Sequence, residues 1–259
     1  MNIFIYNDYI HNNYDVTRFL TSWFPEASIE QCDHRDIARG ILETAPDLFV
    51  MPGGADLYYV EKLNGAGNKQ IKTYVENGGK YLGICAGAYY GCASLEFAKD
   101  WAGEIEISGT RELGFFQGSA IGPIQDYCNP SQRIPSCYDN MCSLSYTENN
   151  EDITLHAHYN GGPYFSNLAA QTSTESMEVL AHYHDIKDQP AAIILCSHGK
   201  GRALLIGPHL EVSSEQLLAK SYTHNDTLPA RQAIAHAIKT DEDKRQKLWH
   251  KLFDKLLRE

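Results

Sequence analysis

The chain predicts an α/β fold in which a mostly parallel sheet carries helices on both faces. Three observations carry that expectation. Short apolar runs alternate with helix-spaced stretches at intervals that suit βα units. Glycine-rich turns follow two of those runs directly, at Pro52-Gly53-Gly54 and around Cys85. The 259 residues, 43% hydrophobic and 21% charged, are enough for the core of one large α/β domain, and no internal repeat or linker divides them.

Taken in order, residues 2–7 are a short apolar strand, and a polar loop over 8–13 lies beyond its carboxyl end. Val16, Phe19, Leu20 and Trp23 give residues 14–24 helical spacing, which stops at Pro25. Residues 27–32 are a second strand, and 47–51 a compact buried one that runs into Pro52-Gly53-Gly54. Two glycines there let the backbone turn tightly and present bare N–H groups. Residues 68–77 form a helix closed by Gly78-Gly79.

The chain is organised around the next stretch, 80–91. Tyr81, Leu82 and Ile84 lead into Cys85, with Gly83 and Gly87 two residues away on either side. Small residues around a single cysteine suit a sharp strand-to-helix turn that holds a nucleophile in a strained position. A cysteine in the first turn of a helix also sits in positive partial charge, which favours its anionic form. A helix-compatible segment with Tyr89, Tyr90, Leu95 and Phe97 follows. The bland alternative is a buried structural cysteine at a strand end.

From 104 to 165 the rhythm changes. Extended pieces at 104–108, 120–124 and 154–158 are broken by Gly, Pro, Asn and Ser, and read as an antiparallel excursion near the active-site end. Residues 177–183, 191–197 and 202–207 are strands, the last two joined by a tight turn at 198–201. Residues 227–239 and 241–257 are helical. Acids open the 241–259 segment and bases follow, as the helix dipole prefers, and its apolar stripe (Leu248, Trp249, Leu252, Phe253, Leu256) is expected to dock on the core or a second subunit.

The totals exclude some classes. A formal net charge of -11 argues against nucleic-acid binding, which needs concentrated Lys and Arg. No apolar run approaches bilayer length, and the start reaches Asp8 without a basic region, unlike a signal peptide. Seven cysteines at irregular spacing do not read as a disulfide framework, which points to a reducing, cytoplasmic compartment.

A cysteine nucleophile needs a base, and the base needs a partner that fixes its tautomer and stabilises its charged form. His209 and Glu211 arrive just after a late strand, on alternate positions of an extended segment that can aim both side chains the same way. If that strand neighbours the elbow strand, the imidazole and thiol meet at the carboxyl edge of the sheet, where open α/β folds place their sites. The oxyanion donors would be the N–H of Ala86 and that of Gly54 or its neighbour.

Pro-Gly-Gly after a strand, Gly83-Ile84-Cys85-Ala86-Gly87 at an elbow, and Gly207-Pro208-His209-Leu210-Glu211 after a late strand resemble, in that order, the class I glutamine amidotransferase superfamily. Within it, residues 51–57, 81–90 and 159–165 are similar to the biotin–protein ligase N-terminal, amidotransferase-like domain, and the likeness covers most of 1–215. It implies a flavodoxin-like three-layer sandwich, with Cys85 as nucleophile, His209 as base, Glu211 as its orienting residue, and Gly54 and Ala86 as oxyanion donors. Two departures matter. Glutaminases of this class carry a Gln a few residues after the nucleophile, where this chain has Ala88, Tyr89 and Tyr90. There is no Gly/Arg-rich biotinyl-adenylate loop, so the chain is expected to stand as the N-terminal-like domain alone and not to ligate biotin by itself.

Two functional readings follow. The first is a cysteine-dependent hydrolase or amidotransferase acting on an amide or ester of a small or peptide-like substrate, with no cofactor. The second is a non-catalytic module that binds a ligand or regulates a separate protein partner. Gly53, Tyr89, Asn160, Gly161, Gly162, Tyr164 and Phe165 are the expected pocket walls; ordinary packing where loops cross the sheet edge is the alternative for the aromatic ones. The pairs His156/His158 and His182/His184 are read as hydrogen-bonded strand histidines rather than a zinc site, and Cys128, Cys137 and Cys142 as structural, so no metal is expected.

Overall fold

The computed structural model describes residues 1–8, 13–101, 105–128, 140–167, 176–219 and 228–258. In the first third, β1 (Asn2–Tyr6), α1 (Tyr14–Trp23), β2 (Ser28–Cys32), α2 (His34–Ala38), β3 (Leu48–Met51), α3 (Asp56–Leu63), α4 (Ala66–Glu76), β4 (Lys80–Ile84) and α5 (Ala86–Tyr90) alternate. Strands then dominate: β5 (Cys92–Phe97), β6 (Ile107–Thr110), β7 (Phe116–Gly122), β8 (Asn140–Glu148), β9 (Glu151–Tyr159), β10 (Tyr164–Ser166), β11 (Met177–Tyr183), β12 (Ala191–His198) and β13 (Gly201–Ile206). Three helices close the chain, α6 (Ser214–Ala219), α7 (Leu228–Thr240) and α8 (Glu242–Leu257).

The heart of the sheet is parallel, in the order β2-β1-β3-β4-β13. β12 turns back antiparallel on β13, and β10, β7, β5 and β6 carry the same sheet onward. β11 pairs with β12 and leads to the β8–β9 hairpin. Period-2 alternation sorts the side chains into two cores. From β1, Ile3 and Ile5 join α1 and α8 on one face, with Val16, Leu20, Leu248 and Trp249. Phe4 and Tyr6 join α3, α4 and α5 on the other, with Tyr59, Ile71 and Ala88. Helices, sheet and helices make three layers of a flavodoxin-like α/β fold.

The structure corrects three expectations. The helix after Cys85 stops at Tyr90: Gly91 caps it, and Leu95 and Phe97 lie on strand β5, which pairs with β6 and β7. The segment from 104 to 165 holds the expected antiparallel pairings, the β8–β9 hairpin and β10 against β7, but it is not set apart from the core, because β6, β7 and β10 extend the main sheet; residue 104 lies outside the described residues. Cys128 is disulfide-bonded, a cross-link that the cysteine spacing did not suggest, whereas Cys32, Cys85, Cys92, Cys142 and Cys196 form no disulfide. Cys137 lies outside the described residues. Among the described residues, no helix is long and apolar enough to cross a membrane.

Candidate active site

Cys85 joins β4 to α5 with φ 51 and ψ -106, a backbone conformation that L-residues rarely adopt. The surroundings enforce it. The Cys85 N–H donates to the Ile206 carbonyl at 2.9 Å and the Gly87 N–H to the Pro52 carbonyl at 3.1 Å. Gly87 is pressed so closely on β3 that a Cβ there would lie 2.0 Å from the Met51 carbonyl oxygen. Helix α5 has only five residues, little more than one turn, so its dipole is short. The electrostatic support for a reactive sulfur must come from side chains.

Those side chains arrive on the segment after β13. Ile206 pairs with Ile84 across the parallel β13–β4 ladder, so both chains leave the sheet side by side. His209 Nδ1 lies 2.7 Å from Glu211 Oε1, and the Cε1–Nε2 edge of the same ring sits against Gly53, next to Cys85. A Cβ built on Gly53 would meet His209 Cε1 at 2.7 Å and Cys85 Cβ at 3.6 Å, so the three segments converge on one point. The side chains of His209 and Glu211 are 13% and 5% exposed. Burial works against the charged imidazole, but Glu211 and Cys85 outweigh it and push His209 up to about 10. Burial likewise opposes the carboxylate, and the facing imidazolium wins, holding Glu211 below its ordinary range.

His158 is a neighbour that sequence reasoning did not place. Its carbonyl accepts the His209 N–H at 2.8 Å in an isolated bridge, and the two rings stand 5.7 Å apart. His156, on the same face of β9, instead sets its Nδ1 2.7 Å from Asp241 Oδ2. The second H-x-H pair is likewise tied to protein, with His182 Nδ1 2.7 Å from the Gln189 carbonyl.

Of the expected oxyanion donors, Ala86 directly follows Cys85, and Gly54 follows Gly53, whose would-be Cβ lies 3.6 Å from Cys85 Cβ. Ala86 is the first residue of α5, where no intrahelical carbonyl can take its N–H. Gly54 ends the β3 loop with φ 149. On the other side, the Cys85 thiol faces the Asn160 carbonyl, with Sγ 3.6 Å from the oxygen. Gly162 holds that loop against β13: a Cβ there would lie 1.8 Å from the Gly207 carbonyl oxygen.

The aromatic residues divide. Tyr164 is half-buried, while Tyr89 and Phe165 are 4% and 2% exposed and belong to the core beneath the loops. Buried tyrosines act as struts. Tyr59 donates to the Pro52 carbonyl (2.7 Å), Tyr81 to Gly87 (2.8 Å), Tyr89 to Gly161 (3.1 Å), Tyr159 to Gly162 (2.8 Å) and Tyr183 to Pro163 (2.8 Å). Burial pushes all five phenols well above their ordinary value and keeps them protonated donors. A cavity of about 860 Å3 lined by Met1, Pro46, Tyr74, Lys80 and Lys200 lies at the opposite, amino edge of the parallel strands.

Comparisons with known proteins agree with this architecture. An uncharacterized protein of Chlamydia muridarum is 36% identical over 220 residues, covering 83% of this chain and 78% of its own length. The biotin–protein ligase of Schizosaccharomyces pombe is 30% identical over 226 residues, again 83% of this chain but only 34% of the ligase. Among solved structures, the crystal structure of SMU.1228c superposes with a TM-score of 0.51 at 15% identity over the full length of both chains, which supports the fold. A ThuA-like protein of Bacteroides uniformis matches at a TM-score of 0.48 and 15% identity over 80% of this chain and 82% of its own. The family model described as biotin-protein ligase, N terminal, matches residues 1–258, and the chain belongs to that family.

Proposed function

We propose that this amidotransferase-like chain is a cysteine-dependent hydrolase or acyl transferase acting on an amide or ester bond. One observation carries the reading: the His209 imidazole pairs with the Glu211 carboxylate and stands beside Cys85 across Gly53. His209 takes the thiol proton as Cys85 Sγ attacks the substrate carbonyl carbon, forming a C–S bond and a tetrahedral oxyanion. The N–H groups of Ala86 and Gly54 stabilise that oxyanion. Its collapse breaks the C–N or C–O bond, and the leaving amine or alcohol departs with the proton held by His209. Water or ammonia then attacks the thioester, giving up its proton to His209. The second tetrahedral intermediate releases the acyl product, and the sulfur recovers that proton. Gly53, Asn160–Gly162 and Tyr164 border the place for a small or peptide-like substrate. No step needs a cofactor. The ligase activity named for the fission yeast relative belongs to a protein about two and a half times as long and is not proposed for this chain.

Two observations favour the second reading, a ligand-binding or regulatory module acting on a separate protein partner. Cys85 is only 6% exposed, with the Asn160 carbonyl facing its sulfur. Ala88, Tyr89 and Tyr90 also stand where a glutaminase keeps its glutamine-binding side chain, and all three are buried. A panel of amides, esters and short peptides, assayed with wild type and Cys85→Ala, decides between them. Turnover that vanishes in the variant supports the enzyme, and turnover that survives it overturns the triad.

A further inference from the structure

Arg245, in the first turn of α8, is 4% exposed, an unusual place for a guanidinium. Its Nη2 donates to two carbonyls, Leu210 at 2.7 Å and Val212 at 2.8 Å, which bracket Glu211 on either side. Trp249, one turn further along, donates Nε1 to the same Leu210 carbonyl at 3.3 Å. The start of α8 is itself fixed to β9: Asp241 accepts from the His156 N–H at 3.0 Å and pairs with the Lys244 ammonium at 2.7 Å. β9 carries His158, whose carbonyl holds the His209 N–H. The segment from His209 to Val212 is thus gripped by α8 on one side and β9 on the other.

Burying a guanidinium is costly, and an apolar side chain of similar volume would pack this helix at least as well. Burial does press Arg245 below its ordinary value, against the opposing charges of Glu242, Glu211, Cys142 and Asp241. Its one ion pair within 4 Å among the described residues is long, Nε to Glu242 Oε2 at 3.7 Å. Its strong contacts are the two carbonyls next to Glu211.

We propose that Arg245 is a positioning residue for the Cys85–His209–Glu211 site, locking the Leu210–Val212 backbone so that the Glu211 carboxylate meets His209. Its fixed positive charge also favours the ionised carboxylate. The proposal rests on the reading that these three residues act as a unit. Among the described residues, the charged and titratable groups facing the unit include His158 from β9, Arg245 from α8 and the buried phenols Tyr59, Tyr89 and Tyr159 around the elbow.

The test is the rate of Cys85 alkylation by iodoacetamide across pH 5–10 on the full chain, with thermal unfolding as a control for folding. Arg245→Gln slows labelling at pH 7 by about tenfold, the loss of one charge-assisted hydrogen bond, and moves the profile toward that of a free thiol. Arg245→Lys keeps the charge and restores part of the rate. A folded Arg245→Gln protein with the wild-type rate and profile overturns the proposal. Should Arg245→Gln not fold, Trp249→Phe, which removes one donor to the same carbonyl and leaves no buried charge unpaired, decides instead: slower labelling supports the clamp and an unchanged profile overturns it. His209→Gln separates the two layers. If it labels as fast as wild type, the triad reading itself fails; if it slows while the Arg245 variants do not, only the role of Arg245 is lost.

Discussion

His209 Nδ1 and Glu211 Oε1 lie 2.7 Å apart on the segment that follows β13, with Glu211 buried and His209 mostly so. The pair titrates in opposite senses, so its contribution to stability has two edges. Glu211 is held below its ordinary 4.5, so its share is present above that value and is lost as pH falls through the folded one. His209 is raised from 6.5 to about 10, so its share is complete below 6.5 and is lost as pH rises toward 10. The stability gap between wild type and Glu211→Gln should be widest near pH 5–6.5 and narrow on both sides. Thermal midpoints of the two proteins measured from pH 3 to 10 check this; a gap that keeps growing up to pH 10 would contradict it.

Reactivity of Cys85 should follow the same pair. Because α5 is so short, His209 has to supply the positive charge that an elbow helix would otherwise give. Wild-type Cys85 should therefore react with iodoacetamide at pH 7 faster than a free thiol, and His209→Gln should slow it by roughly tenfold or more. Glu211→Gln should fold normally, label more slowly than wild type, and cost any acyl-transfer rate about two to four orders of magnitude. Mass-spectrometric time courses of the peptide containing Cys85 read the labelling. Wild-type labelling no faster than that of a free thiol would remove the chemical basis of the triad.

How far the sequence could be read depended on which residues acted locally. The elbow was legible because two close-set glycines flank a cysteine directly after an apolar run and His209 and Glu211 follow a late strand, and the structure gives Cys85 a strained backbone. The parallel core was legible from apolar runs alternating with helical spacing. The end of α5 was not: Tyr89, Tyr90, Leu95 and Phe97 fit a helical stripe, and only pairing with β6 and β7 makes Cys92–Phe97 a strand. Some signals were present and unused. Asp33 and Asp36 form a capping box for α2, and Asn149-Asn150, both at positive φ, make the two-residue turn between β8 and β9. The nearness of His158 and Arg245 to Glu211 had no local signal at all. It comes from strand and helix packing across about 30 to 50 residues of chain, which periodicity does not encode.

Gly87 gives a test of the elbow itself. With its would-be Cβ 2.0 Å from the Met51 carbonyl oxygen, no rotamer can relieve the contact, and α5 must move away from β3. Gly87→Ala should destabilise the fold by about 3 kcal/mol or more and shift Cys85 from its backbone position. Chemical denaturation measures the first effect and Cys85 labelling the second. Full stability together with wild-type labelling would mean that the elbow is looser than this contact requires.

The tyrosine struts differ in how much they hold, and that difference can be measured. Tyr81 makes one buried bond, donating to the Gly87 carbonyl at 2.8 Å. Tyr159 makes two, donating to the Gly162 carbonyl at 2.8 Å and accepting the Ile124 N–H at 2.6 Å, and so ties the loop beside Cys85 to the turn after β7. Replacing either with phenylalanine keeps the ring packing and removes only the hydroxyl. Tyr81→Phe strands one carbonyl and should cost about 1–2 kcal/mol; Tyr159→Phe strands a carbonyl and an N–H, and should cost about 2–4 kcal/mol. The second variant should also change Cys85 labelling, because Gly162 lies two residues from the carbonyl that faces the sulfur. Equal losses in the two variants would show that the Ile124 N–H finds another partner and that the Gly162 loop does not depend on this hydroxyl.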